Sequence, residues 1–157
     1  MSMENKTNSN HNQTENNILG QEFSSALIMF HQEVANKLDL NITDYKVLGI
    51  IPNGGITAGE IAIHTGLSTG MVTTVVDRLE KKNYVYRDKH PSDRRKVIIK
   101  NNIEKTYTEL APIFQSFGVE MRKIYSSYND HEIKTIMSFL NKSIEVFKKE
   151  TAKLKNN

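Results

Sequence analysis

The sequence has no cysteine and no long hydrophobic run among its 157 residues. Without cysteine, the chain has no disulfide, no thiolate zinc site and no thiol through which to sense oxidants. Its longest apolar patches, such as Val47–Ile51, are far too short to span a bilayer, and residues 1–17 lack the apolar core of a secretory signal. These absences predict a cytoplasmic protein that does not contact a membrane.

Motifs of the common enzyme classes are also missing. We find no phosphate loop, nucleophile elbow or cofactor fingerprint. The carboxylates mostly stand beside lysines, where solvated ion pairs are their ordinary role. Histidines occur at five positions without a closely spaced pair, so the spacing indicates no metal site. We therefore expect no enzymatic activity, no metal and no cofactor. The five are His11, His31, His64, His90 and His131.

Composition and periodicity divide the chain into four segments. Residues 1–17 include six asparagines and no apolar residue except methionine, which is typical of a disordered tail. Residues 18–40 carry one apolar stripe at three- and four-residue steps, which predicts a helix. Residues 41–100 contain short helices and a β-like pair, and residues 101–157 form two long amphipathic helices. The predicted fold class is therefore mainly α with a small β wing.

Local signals place the element ends. Thr43 is the predicted cap of a short helix that stops at residues 52–55, a Pro-Asn-Gly-Gly run. Two helices follow at 58–65 and 69–82, and strands are expected at 84–87 and 96–100. The first long helix covers about 103–128, with a break near Gly118, and Asn129-Asp130 caps the second.

The strongest functional signal lies in residues 57–76, TAGEIAIHTGLSTGMVTTVV. Thr57 and Glu60 form a capping box, and Gly66 stands where the chain must turn sharply. Leu67 fills the space beneath that turn, and Ser68 caps the next helix. Together with the small residue at 62, this pattern favours a DNA-binding helix-turn-helix over a generic helical hairpin.

The second helix buries Val72, Val75, Val76 and Leu79, which leaves a face of small polar side chains outward. None of these has the bidentate fork that reads guanine, so we expect modest base readout and an A·T-rich operator recognised partly through DNA shape. The predicted recognition residues are Ser68, Thr69, Gly70, Met71, Thr73, Thr74, Asp77 and Arg78.

Positive charge is concentrated after this helix. The whole chain carries +3, but residues 78–100 alone contain nine basic and three acidic residues. A charged hairpin is often only a solvated loop, yet directly after a helix-turn-helix it is typical of a wing that contacts phosphate. Asp93 is expected to orient a basic neighbour. The predicted wing contacts are Arg87, Lys89, Arg94, Arg95 and Lys96, with Lys81 and Lys82 as further phosphate contacts.

The runs LSTGMVTTVVDRLEKK (67–82), VYR (85–87) and PSDRRKV (91–97) resemble the multiple antibiotic resistance regulator (MarR) family. With the flanking helices, the resemblance covers about residues 18–155. It implies a winged helix-turn-helix repressor whose terminal helices interlock in a homodimer. It also implies that Asp77 pairs with an arginine of the wing tip, best matched by Arg95, which leaves Arg94 for the minor groove. The sequence itself does not separate the two arginines.

The apolar stripes of the terminal helices exceed what one small domain covers, which independently predicts a homodimer on a pseudo-palindromic site. Regulators of this kind are often released from DNA by a small aromatic or anionic effector. Phe30, His31, Tyr45 and Ile50 are candidates for lining such a pocket, and core packing is the alternative role for them. A winged helix that contacts protein instead of DNA is the alternative function. The operator, the regulated genes and the effector are not encoded in any pattern we recognise.

Overall fold

The computed structural model of the chain describes residues 4–155, with side chains from Ile18 onward. The chain forms two compact units, residues 1–110 and 111–157. In chain order the elements are α1 (Glu4–Lys37), α2 (Ile42–Ile50), α3 (Ala58–Thr65), α4 (Thr69–Lys81), β1 (Val85–Lys89), β2 (Val97–Asn101), α5 (Ile103–Ser126) and α6 (Asp130–Lys155). The mainly α fold with a small β wing is thereby confirmed.

The first helix is longer than the sequence predicted. Its backbone is helical from Glu4, whereas we expected a disordered tail through Asn17; residues 1–3 lie outside the described part of the chain. Residues 4–17 contain neither proline nor glycine, so no local signal stops the helix that starts further along. Among the described side chains of α1, from Ile18 onward, only Val34 and Ala35 near the C-terminal end are buried, and Leu38 directly after the helix is buried with them.

The first unit has one hydrophobic core. It is made by the inner faces of α2, α3 and α4 together with the wing strands, and α4 contributes four fully buried side chains at 3.6-residue spacing. This confirms the predicted inner face of α4. The core side chains of these elements include Val47, Leu48, Ile61, Val72, Val75, Val76, Leu79, Val85, Ile98 and Ile99, and Tyr84 directly before β1 joins them.

The wing is a two-stranded antiparallel sheet in which Val85 stands opposite Asn101 and Lys89 opposite Val97. A third segment adds a single bridge, because Ile56 and Ile99 exchange both backbone hydrogen bonds, at 3.0 and 2.8 Å. Gly55 precedes this bridge with a φ of +89°, and a Cβ there would lie 2.9 Å from Cδ1 of Ile98. The glycine is therefore required both by its backbone angle and by the approach of β2.

Two local predictions were wrong. Asn41, not Thr43, caps α2, since its side chain accepts a 2.8 Å hydrogen bond from the amide of Asp44. Asparagine is a better cap than threonine, and here α2 begins at Ile42, two residues earlier than a cap at Thr43 would place it. The second error concerns Gly118, where α5 continues unbroken. One glycine costs a helix interior only about 1 kcal/mol.

A polar contact fixes the start of the wing on α1 and α5. The hydroxyl of buried Tyr84 lies 3.1 Å from the carbonyl of Leu38 and donates to the carboxylate of Glu109. The ammonium of Lys105 lies 4.8 Å from the centre of the Tyr84 ring and also pairs with Glu109. Hydrogen bonds from Lys105 and Tyr84 lower the pKa of Glu109, and burial raises the pKa of Tyr84.

The second unit consists of the rest of α5 and all of α6. As predicted, Asn129 caps α6, with its side chain accepting from the amides of His131 and Glu132. No side chain of α6 is buried among the described residues, although its apolar stripe includes Ile144, Phe147 and Leu154, which are 48, 74 and 79% exposed. Over residues 4–155, no helix combines the length and apolar character needed to cross a membrane.

Candidate nucleic-acid interface

The helix-turn-helix has the geometry that its sequence predicts. Thr57 and Glu60 form a complete capping box, in which each side chain bonds the other's backbone amide. The Thr57 hydroxyl also donates to the Glu60 carboxylate at 2.6 Å, and this bond, followed by the one from the Thr57 amide, lowers the pKa of Glu60. Gly66 ends α3 in the left-handed conformation at φ 74°, and Ser68 caps α4 by accepting from the amide of Met71. Both helix ends at the turn are therefore fixed by local hydrogen bonds.

The outward face of α4 is formed by small polar side chains. The hydroxyls of Thr73 and Thr74 donate back to the carbonyls of Thr69 and Gly70, one helical turn earlier. Such bonds satisfy the hydroxyl donors within the helix itself. All eight predicted recognition residues are exposed: Ser68, Thr69, Gly70, Met71, Thr73, Thr74, Asp77 and Arg78.

Arg78 is the one cation among the eight, and its guanidinium is already bound. Its Nε and Nη2 donate to the two carboxylate oxygens of Asp44, at 2.8 and 2.5 Å. The side chain of Asp44 is only 3% exposed. Sequence reasoning missed Asp44, although its spacing gave a signal: it stands three and four residues before Val47 and Leu48, on the buried face of α2.

Asp77 pairs with a wing arginine, but not with the one that the resemblance implied. Its carboxylate lies 2.5 Å from Arg87, in β1, instead of contacting Arg95 at the tip. Arg87 also pairs with Glu80, and its amide donates to the same carboxylate at 3.1 Å. Hydrogen bonding to Asp77 is the main cause that raises the pKa of Arg87. Because β1 follows α4 after a short turn, Arg87 lies nearer to α4 along the chain than Arg95 at the wing tip.

The wing tip is organised by Asp93, as expected, although through the backbone. Its side chain accepts from the amide of Arg95 at 3.1 Å, and its carbonyl accepts from the amide of Lys96 at 2.9 Å. The side chains of Arg94 and Arg95 are left exposed. A short turn of this kind presents adjacent arginines at the end of the hairpin.

Ion pairs divide the predicted DNA contacts into two groups. In the first group, Arg78 and Arg87 are bound as described, and the ammonium of Lys82 pairs with the carboxylate of Asp39 at 2.7 Å. The hydrogen bond from Lys82 is the leading cause of the lowered pKa of Asp39. Among the described residues, the remaining predicted cations have no acidic partner. These are Lys81, Lys89, Arg94, Arg95 and Lys96.

The candidate effector residues are brought partly together. Nδ1 of His31 lies 3.2 Å from the hydroxyl of Tyr45, and the two rings are 5.8 Å apart. Phe30 meets His31 edge-to-face at 5.6 Å. All three are half-buried, and burial raises the pKa of Tyr45. Ile50 is half-buried at the C-terminal end of α2, away from Tyr45 near its start.

A helix-turn-helix followed by a two-stranded wing defines the winged helix-turn-helix class. A model of the MarR family matches residues 40–97, which include all of α2, α3, α4 and β1. The chain is also 36% identical over 138 residues to the HTH-type transcriptional regulator YcgE of Bacillus subtilis (strain 168), covering 87% of this chain and 89% of that protein. The chain therefore belongs to the MarR family of transcriptional regulators.

Solved structures agree on the fold. FabT of Streptococcus pneumoniae, in complex with DNA, aligns with a TM-score of 0.64 and 22% identity, over 87% of this chain and 97% of that one. CouR of Rhodococcus jostii RHA1, bound to p-coumaroyl-CoA, aligns with a TM-score of 0.56 and 20% identity, over 78% and 86% of the two chains. At such identities the likeness concerns the fold alone.

Proposed function

We propose that this regulator binds double-stranded DNA through α4 and the wing, and represses transcription from a pseudo-palindromic, A·T-rich operator. The observation that carries the proposal is the division of the cations. Five predicted contacts have no acidic partner among the described residues, and they stand at the end of α4 and along the wing. Unpaired cations beside an exposed polar helix are what phosphate binding requires.

Base readout in this proposal is modest. Thr69, Thr73 and Thr74 can place methyl groups against thymine, and the exposed Met71 adds an apolar contact. Arg94 and Arg95 at the tip are suited to a narrow minor groove, whose negative potential attracts arginine. Either arginine satisfies this role. FabT, which shares the fold, has been solved in complex with DNA, and this supports DNA binding by the present chain.

The proposal includes a homodimer. Within the first unit, the start of the α1 stripe is exposed at Leu19, Phe23 and Leu27, and no residue of the α6 stripe is buried. Apolar surface of this extent usually marks an interface. A two-fold axis would place two copies of α4 about 34 Å apart, in successive major grooves on one side of the duplex.

A small aromatic or anionic effector is the finer part of the proposal. Phe30, His31 and Tyr45 form a half-buried aromatic cluster with one hydroxyl and one imidazole, which suits an aromatic acid. Ile50 would add apolar lining. CouR, which shares the fold and binds p-coumaroyl-CoA, supports an effector of this class.

Selection from a random duplex library by the wild-type protein tests the proposal. We expect enrichment of an A·T-rich sequence with two half-sites about 10 base pairs apart. A G·C-rich site with strong central base preferences would contradict the proposed readout. Failure to enrich any sequence would favour the alternative function, a winged helix that contacts protein. The exposed polar face of α4, which lacks large apolar anchors other than Met71, argues against that alternative.

A further inference from the structure

The recognition helix α4 is held by charged contacts on two sides. On one side Arg78 forms a bidentate pair with Asp44 of α2, and on the other Asp77 pairs with Arg87 of the wing. The side chains of consecutive helix residues point about 100° apart, so the two ion pairs hold the same turn of α4 from two directions. We propose that Asp44 and Arg78 are positioning residues, which fix the orientation of α4 and thereby the sequence specificity of DNA binding.

Apolar packing alone does not fix that orientation well. The buried face of α4 is built from three valines and one leucine, whose contacts are non-directional. A planar guanidinium bound by both oxygens of one carboxylate is directional, because both hydrogen bonds are lost on a small rotation. The pair therefore adds a directional restraint on rotation of α4 about its axis to the packing of the valines.

The burial of Asp44 makes this restraint strong. Its side chain is 3% exposed, whereas that of Arg78 is 43% exposed. A buried carboxylate whose cation is removed keeps an uncompensated charge, so the cation is held in place far more firmly than at an exposed pair. Arg78 consequently stabilises the position of α4 and is not available to a phosphate. This removes it from the set of DNA contacts that the sequence predicted.

The inference rests on the proposed function, since it concerns how the regulator selects DNA. Its test compares wild type with Asp44→Asn, which keeps the shape of the side chain and removes its charge. The matched control is Asp39→Asn, which causes the same change of charge and also releases a cation at the end of α4, here Lys82. Asp39 is 96% exposed and its φ of 53° is well tolerated by asparagine.

The measurement is the ratio of dissociation constants for a scrambled duplex and for the duplex that wild type selects. Fluorescence anisotropy gives both values, at several salt concentrations and with folding checked by circular dichroism. We expect Asp44→Asn to lower this ratio about tenfold, the usual effect of losing one base contact. The salt slope should stay as in wild type, because no phosphate contact is removed. Asp39→Asn should leave the ratio unchanged.

A purely structural role would lower the melting temperature of Asp44→Asn without changing the ratio of the folded protein, and that result would overturn the inference. Arg78→Lys provides a second variant, since it keeps the charge and loses the bidentate geometry. It should also lower the ratio at an unchanged salt slope. A salt slope reduced by about 1 per protomer in Arg78→Gln would instead make Arg78 a phosphate contact.

Two outcomes concern folding and the parent proposal. If neither Asp44→Asn nor Arg78→Lys yields a folded protein, the pair is a folding element and the inference is wrong. If wild type itself fails to distinguish any duplex from its scrambled form, the proposed function fails, and the inference fails with it. A wild-type preference that both variants retain contradicts the inference alone.

Discussion

The unpaired arginines of the wing tip allow a quantitative prediction. Replacing Arg94 and Arg95 by alanine removes two cations per protomer, neither of which has an acidic partner among the described residues. Each cation that neutralises a phosphate charge, by direct contact or from within the minor groove, contributes about 0.9 to the slope of log K against log salt. A dimer that loses four such contacts should therefore show a slope lower by about 3.6. The affinity of wild type should fall about 100-fold more than that of the variant between about 50 and 200 mM salt.

The assay is a fluorescence anisotropy titration of a duplex at four salt concentrations. The matched control is Lys123→Ala/Lys153→Ala, which removes the same charge from exposed side chains of α5 and α6 that already pair with Glu120 and Glu150. The control should keep the wild-type slope. An equal loss of slope in both double variants would mean that only net charge matters, and the assignment of the wing tip to DNA contact would then be refuted.

Two further predictions concern stability. Gly55→Ala should destabilise the chain by about 2–4 kcal/mol in urea unfolding, because alanine is strained at φ +89° and its methyl would meet Ile98; a loss below about 0.5 kcal/mol would contradict the bridge to β2. Glu109 has a lowered pKa, so its contribution to stability is present above its unfolded pKa of about 4.3 and is lost as pH falls through the folded value. Glu109→Gln should accordingly lose less stability than wild type on acidification below about pH 5, and identical pH profiles would exclude this role.

Local signals account for what the sequence predicted correctly. The start of α3 at Ala58 and the turn at Gly66 are each fixed by residues close by in the sequence, so a capping box and a glycine suffice to place them. The inner face of α4 follows from periodicity alone. The wing strands were predicted within two residues of their ends, since turn residues and alternation are also local.

The contacts that divide the cations could not be predicted in this way. Asp44 and Arg78 are 34 residues apart, and only the packing of α2 against α4 brings them together. Asp77 is followed in the sequence by several arginines, and the strand geometry decides in favour of Arg87. Charge counting therefore found the basic region of the chain, but the fold determines which of its side chains remain available to a ligand.

The central claim is that the wing and α4 bind duplex DNA as a salt-sensitive, sequence-selective interface. Its most direct test is a titration of the wild-type protein against a duplex from its own upstream region and against a scrambled duplex, each at two salt concentrations. We expect nanomolar binding to the first duplex at low salt, a steep loss at higher salt and a preference of at least about 1000-fold over the second. Equal, weak and salt-insensitive binding to both duplexes would contradict the claim.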